Sequence, residues 1–240
     1  MKNIVLLHGF GENASIWPDF VKLLESENNY FTPDFSEKKD CFSIPEYADW
    51  LKHFFDKKKI DDAIIIGHSM GGYIAVEFCH KYPEKVKGLG LFHSTVAADS
   101  IEKKESRDKA IQFLIKHDTD LFIKHFYPNM FTEHFKSQNT QFIQDNIAKF
   151  STIPNEALLA ATLAMKSRES HIDNLPDFEF PIFQILGKQD TFVNYKEALE
   201  QTAKMKYPNL LLLDNISHAG MFESPDICAQ FINSFLQQQC

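Results

Sequence analysis

Short apolar runs closed by glycine alternate with stretches of helical spacing at both ends of the chain. Ile4–Leu7 runs into His8-Gly9, which suits a buried strand. Ile16–Leu24 has helical spacing, with Ser15 as its expected N-cap. Tyr30–Phe35 reads as a second strand. Pro45–Lys57 reads as a helix that turns Tyr47, Leu51, Phe54 and Phe55 inward. Ala63–Ile66 predicts a strand that meets Gly67, then a helix over Met70–Lys81 stopped by Pro83. Val86–Phe92 is the next strand. Strands that alternate with helices point to βαβ units and a parallel sheet.

The pattern changes between about 96 and 175. Helical spacing persists, strand signals vanish, and seven Phe (113, 122, 126, 131, 135, 142 and 150) stand among Lys, Asp and Gln. Alternation resumes with Pro181–Leu186 (strand), Tyr195–Lys204 (helix), Leu210–Leu213 (strand) and Ser224–Leu236 (helix). The expected organisation is an α/β core over 1–95 and 176–240, interrupted by an all-helical cap over 96–175. Most of the seven Phe are expected to pack cap helices, the rest to line an apolar pocket.

Composition narrows the partners. Of 240 residues, 44% are hydrophobic and the net charge is −8, so a folded core is expected and a nucleic-acid partner is not. The cysteines (41, 79, 228 and 240) form no CxxC pair and no zinc spacing, and Cys79 is expected inside a helix as a small buried residue. Four apolar residues at the N-terminus are fewer than the 7–15 or so of a signal-peptide core. No run approaches the 18 or so needed to span a bilayer. A cytoplasmic protein that acts on a small molecule, with no membrane contact, is the expectation. Nothing in the sequence specifies its oligomeric state.

Chemistry concentrates at the predicted strand ends. Gly67-His68-Ser69-Met70-Gly71 matches G-x-S-x-G between a predicted strand and a predicted helix. That setting forces the serine onto a sharp turn whose neighbours two residues away must lack side chains. A serine hydroxyl needs a base, and His218 in Ser217-His218-Ala219-Gly220 follows a strand. Asp190 in Gly187-Lys188-Gln189-Asp190 follows another strand and could hold the imidazole, with Asp99 as the substitute and Asp214 nearer His218 in sequence. His8-Gly9-Phe10-Gly11 follows the first strand. Acyl transfer needs two backbone N–H donors, expected here from Phe10 and Met70. Seven of the nine glycines (9, 11, 67, 71, 72, 187 and 220) lie in these segments. His93 and Ser94 follow Val86–Phe92 and are candidates for the pocket floor or for a plain turn. Arg107 and Arg168 are the cap's guanidiniums, and a solvated surface role is preferred over contact with a substrate carboxylate.

The four segments together resemble the α/β-hydrolase fold family, in the order Ser…Asp…His. The resemblance spans the chain outside the cap. It implies Ser69 as nucleophile, Asp190 as acid, His218 as base, Phe10 and Met70 as oxyanion donors, and a helical cap over the site. The overall layout is similar to small capped esterases and carbon–carbon bond hydrolases. The first strand begins at residue 3, so two N-terminal strands common in the family are missing and about six parallel strands are expected. Phe35-Ser36-Glu37 replaces a glycine-rich turn of many relatives. A serine at the nucleophile position speaks against a haloalkane dehalogenase.

The expected activity is hydrolysis of a small carboxylic ester through an acyl-enzyme. Thioester or carbon–carbon cleavage on the same triad, or ligand binding without catalysis, are the alternatives. Gly9-Phe10-Gly11-Glu12-Asn13-Ala14 also fits a dinucleotide fingerprint, with Asp34 where a ribose-binding acid would lie. That reading leaves Ser69, Asp190 and His218 unexplained, and no Tyr-x-x-x-Lys pair accompanies it. There is no G-x-x-x-x-G-K-[ST] and no HExxH, and His117, His125 and His134 are not spaced as metal ligands on one helix turn, so no cofactor and no metal are expected.

Overall fold

A computed structural model describes residues 1–238, which leaves Cys240 outside the described residues. The chain opens with β1 (Asn3–Leu7), followed by a 3-10 turn at Ala14–Ile16, the one-turn helix α1 (Pro18–Val21) and β2 (Asn29–Phe31). Next come α2 (Ile44–Lys58), β3 (Ala63–His68), α3 (Met70–Lys81) and β4 (Val86–Phe92). Five helices then intervene: α4 (Ile101–Lys116), α5 (Thr119–Phe126), α6 (Glu133–Gln138), α7 (Thr140–Phe150) and α8 (Asn155–Ser167). The chain ends with β5 (Ile182–Gly187), α9 (Tyr195–Thr202), β6 (Pro208–Leu213), α10 (Gly220–Glu223) and α11 (Pro225–Gln238).

The six strands form one sheet in the order β2-β1-β3-β4-β5-β6, and every neighbouring pair is parallel. β3 is buried along its whole length, which explains its unbroken apolar run: helices cover both faces of such a sheet. β1 pairs with β2 on one side and β3 on the other, so the chain changes direction across the sheet there. Loops leaving β1 and β3 diverge at that point and open a crevice beyond the strand ends. His8–Gly11 and Ser69 sit on those two loops.

Local chemistry sets the element ends. A capping box of Ser43 and Glu46 starts α2, and Lys59 stops it in the left-handed region at φ 56°. The predicted bounds of α3 and β4 match the structure. The predicted helix Ile16–Leu24 shrinks to α1, because Asn13, not Ser15, caps the turn: its side chain accepts from Ser15 N–H and starts a 3-10 turn before Pro18. The predicted strand Tyr30–Phe35 pairs only as far as Phe31, since Pro33 has no N–H to give a ladder.

Three of the seven Phe between β4 and β5, namely 113, 122 and 126, line a cavity. The others pack: Phe131, Phe135 and Phe142 form an aromatic cluster in which Phe142 lies 5.0 Å from Phe222, and Phe150 lies 5.2 Å from Tyr127. Cys41, Cys79 and Cys228 are free and buried. Among the described residues, no helix is long and apolar enough to cross a membrane.

Candidate active site

Ser69 stands between β3 and α3 at φ 51° and ψ −117°, outside the regions open to ordinary side chains. The surrounding chain holds it there. Its N–H donates to the Phe92 carbonyl at 3.0 Å, and its own carbonyl accepts from Gly72 N–H at 2.9 Å and Ser94 Oγ at 2.8 Å. Glycine is required on both sides. A Cβ on Gly67 would lie 2.3 Å from the Gly71 backbone, and one on Gly71 would lie 2.5 Å from the Leu7 carbonyl oxygen. Ser69 is half-buried and lines a cavity of about 510 Å³ together with Phe10, Tyr73, Phe126 and Phe192.

Asp190 and His218 meet. Asp190 Oδ2 lies 2.8 Å from His218 Nδ1, and both side chains are buried. Asp190 Oδ1 accepts the N–H groups of Phe192 (2.8 Å) and Val193 (2.9 Å), so neither oxygen is idle. Burial alone would raise this carboxyl's pKa, but His218 and His93 outweigh it and hold it well below the usual range. The His218 ring packs 4.8 Å from the ring of Phe192, which also lines the cavity. Asp99 and Asp214 are elsewhere: Asp99 is paired with Arg107 and Arg168, and Asp214 with Lys188.

His93 and Ser94 are buried beneath the site and are not among the cavity-lining residues. Ser94 holds the Ser69 carbonyl. His93 Nε2 accepts the Gly220 N–H at 3.1 Å, which leaves the proton on Nδ1, 3.4 Å from Asp190 Oδ2. Burial pushes the His93 pKa down to about 4, so its ring is neutral. The donor atoms of His93, Asp190 and His218 lie within 4.8 Å of one another, a spacing that metals also use. Two of the three are already engaged: Asp190 accepts three hydrogen bonds and faces His93 Nδ1 at 3.4 Å, and His93 Nε2 accepts an amide.

Two further residues escape a reading of the sequence. Glu12 and His68 both have fully buried side chains, and Glu12 Oε2 lies 2.9 Å from His68 Nδ1. Glu12 Oε2 also accepts Gly9 N–H at 3.1 Å, while His68 Nε2 lies 2.8 Å from the His218 carbonyl oxygen. Both ring nitrogens of His68 therefore face acceptors, and only a doubly protonated ring satisfies both. Burial opposes that charge, but Glu12 and the His218 carbonyl overcome it and raise the His68 pKa. The pair links the loop after β1, the Ser69 turn and the His218 loop. One signal was available: position 68 ends a fully buried strand, so a histidine there needs a partner inside.

Phe10 and Met70 are buried, and among the described residues no backbone acceptor is assigned to either N–H. Met70 is the first residue of α3, where an N–H has no partner within its helix.

A sequence model of the alpha/beta hydrolase fold matches residues 2–225. The chain belongs to this family. It is 26% identical over 254 residues to a pimeloyl-[acyl-carrier protein] methyl ester esterase of Wigglesworthia glossinidia brevipalpis, covering 98% of this chain and 94% of the relative. It is 24% identical over 266 residues to 2-hydroxy-6-oxononadienedioate/2-hydroxy-6-oxononatrienedioate hydrolase 1 of Pseudomonas putida, covering 98% and 88%. In structure it resembles a thermophilic esterase from Thermogutta terrifontis, with a TM-score of 0.92 at 22% identity over 100% of this chain and 90% of the other. The alpha/beta hydrolase fold accounts for the strand order and for the placing of Ser69, Asp190 and His218 on loops at one edge of the sheet.

Proposed function

We propose that this chain hydrolyses a small carboxylic ester through Ser69, with His218 as base and Asp190 as its orienting acid. The observation that carries the reading is the 2.8 Å contact between Asp190 Oδ2 and His218 Nδ1, made beside a cavity lined by a serine at positive φ. With Nδ1 committed to Asp190, Nε2 is the His218 nitrogen left to take the Ser69 proton as Oγ attacks the ester carbonyl. The oxyanion that forms is held by the N–H groups of Phe10 and Met70, one leaving the β1 loop and one opening α3. His218 returns the proton to the leaving alcohol. Water, activated by the same ring, then releases the acid from Ser69.

Residues 96–175 act in this reading as a cap. The cavity walls from α4, α5 and α8 come from that segment, while Phe10, Ser69 and Phe192 come from the α/β core. Three buried free thiols accord with a reducing, cytoplasmic setting. One relative is named as a 2-hydroxy-6-oxononadienedioate/2-hydroxy-6-oxononatrienedioate hydrolase, and the same triad would serve carbon–carbon or thioester cleavage.

The test is hydrolysis of 4-nitrophenyl acetate, butyrate and octanoate by the wild type and by Ser69→Ala. Turnover that vanishes in the variant supports the mechanism, and the chain-length profile sizes the acyl pocket. Turnover that survives in Ser69→Ala removes the serine from it.

A further inference from the structure

The cavity beside Ser69 is strongly polarised. α4 presents one stripe to it, Lys103, Ser106, Arg107, Ala110 and Phe113, at the three- and four-residue spacing of a single helix face. The stripe is apolar at its Phe113 end and cationic at its Lys103 and Arg107 end. Lys109 and His125 join the lining, yet among the described residues no carboxylate lines the cavity. The acidic residues of α4 (Glu102, Glu105 and Asp108) lie outside the lining, and the chain as a whole carries a net charge of −8. The cavity thus departs from the charge balance of the whole chain.

Arg107 is the fixed element of this end. Asp99, with a fully buried side chain, lies 2.7 Å from Arg168 Nη1 and 3.1 Å from Arg107 Nε. One carboxylate serves two guanidiniums, so the cluster keeps one positive charge. Arg168 spends its donors inward: Nε on the Ala97 carbonyl, Nη1 on the Met165 carbonyl and Asp99, with its guanidinium 3.9 Å above the Tyr73 ring. The surface role expected of Arg168 is therefore corrected: it is a buried post that anchors Asp99. Arg107 is held through Nε alone, its side chain is 22% exposed, and it lines the cavity. Lys103 is tied to the Phe192 carbonyl at 2.9 Å.

We infer that the substrate is an anionic ester, with a carboxylate remote from the scissile carbonyl that is received by the Arg107 guanidinium. This rests on the ester-hydrolase reading and names its substrate class. The planar fork of Arg107, pre-oriented by Asp99, matches a carboxylate in two parallel hydrogen bonds. The apolar stretch from Phe113 to Phe126 takes the methylene chain between the two polar ends.

The experiment compares 4-nitrophenyl monoesters of succinate, glutarate and adipate with neutral 4-nitrophenyl esters of matched length. The wild type should favour the best anionic ester in kcat/KM by on the order of 10- to 100-fold, as a charged hydrogen-bonded contact provides. Arg107→Gln should bring that ratio toward one, mainly through KM of the anionic ester. Lys109→Gln, at an exposed position that cannot unsettle the fold, should lower the ratio more weakly. Added salt should raise KM for the anionic esters selectively. Equal kcat/KM for charged and neutral esters, or a preference that Arg107→Gln leaves intact, overturns the inference. If neither kind of ester is turned over, the hydrolase reading fails separately. Calorimetry with glutarate then decides: saturable binding weakened by Arg107→Gln supports an anion site, and no binding overturns it.

Discussion

Glu12 Oε2 and His68 Nδ1 lie 2.9 Å apart with neither side chain exposed. The His218 carbonyl on the far side of the ring makes this an imidazolium held between two acceptors. Nitrogen NMR of histidine-labelled protein should find both His68 nitrogens protonated above the ordinary histidine range near 6.5. An unprotonated Nδ1 at neutral pH would contradict the assignment. Because folding raises this pKa, the pair's stabilisation is complete below about 6.5 and is lost as pH rises through the folded value.

Glu12→Gln should lower kcat far more than it raises KM. Glu12 is not among the residues that line the cavity, but it ties Gly9 N–H and His68 to the loop that carries Phe10. A variant that folds normally and keeps full kcat would reduce the pair to a structural role.

Asp190→Asn should cost kcat about 10⁴-fold, the scale expected when the orienting acid can no longer fix the imidazole tautomer. Circular dichroism should remain native, because an amide oxygen can still accept the Phe192 and Val193 N–H groups. A loss below tenfold would show that His218 needs no acid.

Gly67→Ala tests the backbone of the turn. The new Cβ would sit 2.3 Å from the backbone of Gly71, and no side-chain rotation relieves that overlap. Destabilisation of about 3 kcal/mol or more is expected, together with loss of fluorophosphonate labelling at Ser69. A stable, labelled variant would mean that the turn has more freedom than its geometry allows.

His171 Nε2 lies 2.8 Å from Glu77 Oε2, joining the segment after α8 to α3. The hydrogen bond to Glu77 raises the His171 pKa, so its contribution is full below about 6.5 and fades as pH climbs through the folded value. The melting difference between wild type and Glu77→Gln should be widest in mild acid and narrow toward alkaline pH. A gap independent of pH would mean that the pair is not ionised.

Most of the frame was legible along the chain. Short apolar runs located the six strands of the sheet and period-3.6 spacing the helices α2, α3, α9 and α11, because burial on both faces or on one face imposes those patterns on sequence. The Ser69 turn was legible for a different reason: only glycine tolerates the close approaches at 67 and 71. Element ends shifted where a neighbour's side chain or a missing N–H intervened, as at Asn13 and Pro33.

Partnership was decided in three dimensions. Asp190 was the preferred acid on the chain with Asp99 as its substitute, and only folding put Asp190 against His218 while giving Asp99 to two arginines. Glu12 was given no role of its own along the chain and Arg168 read as a surface residue, yet both are buried. Local pattern reports how far a residue is drawn inward with its own element. Which charge it meets there depends on loops from distant parts of the chain, and periodicity carries no information about those encounters.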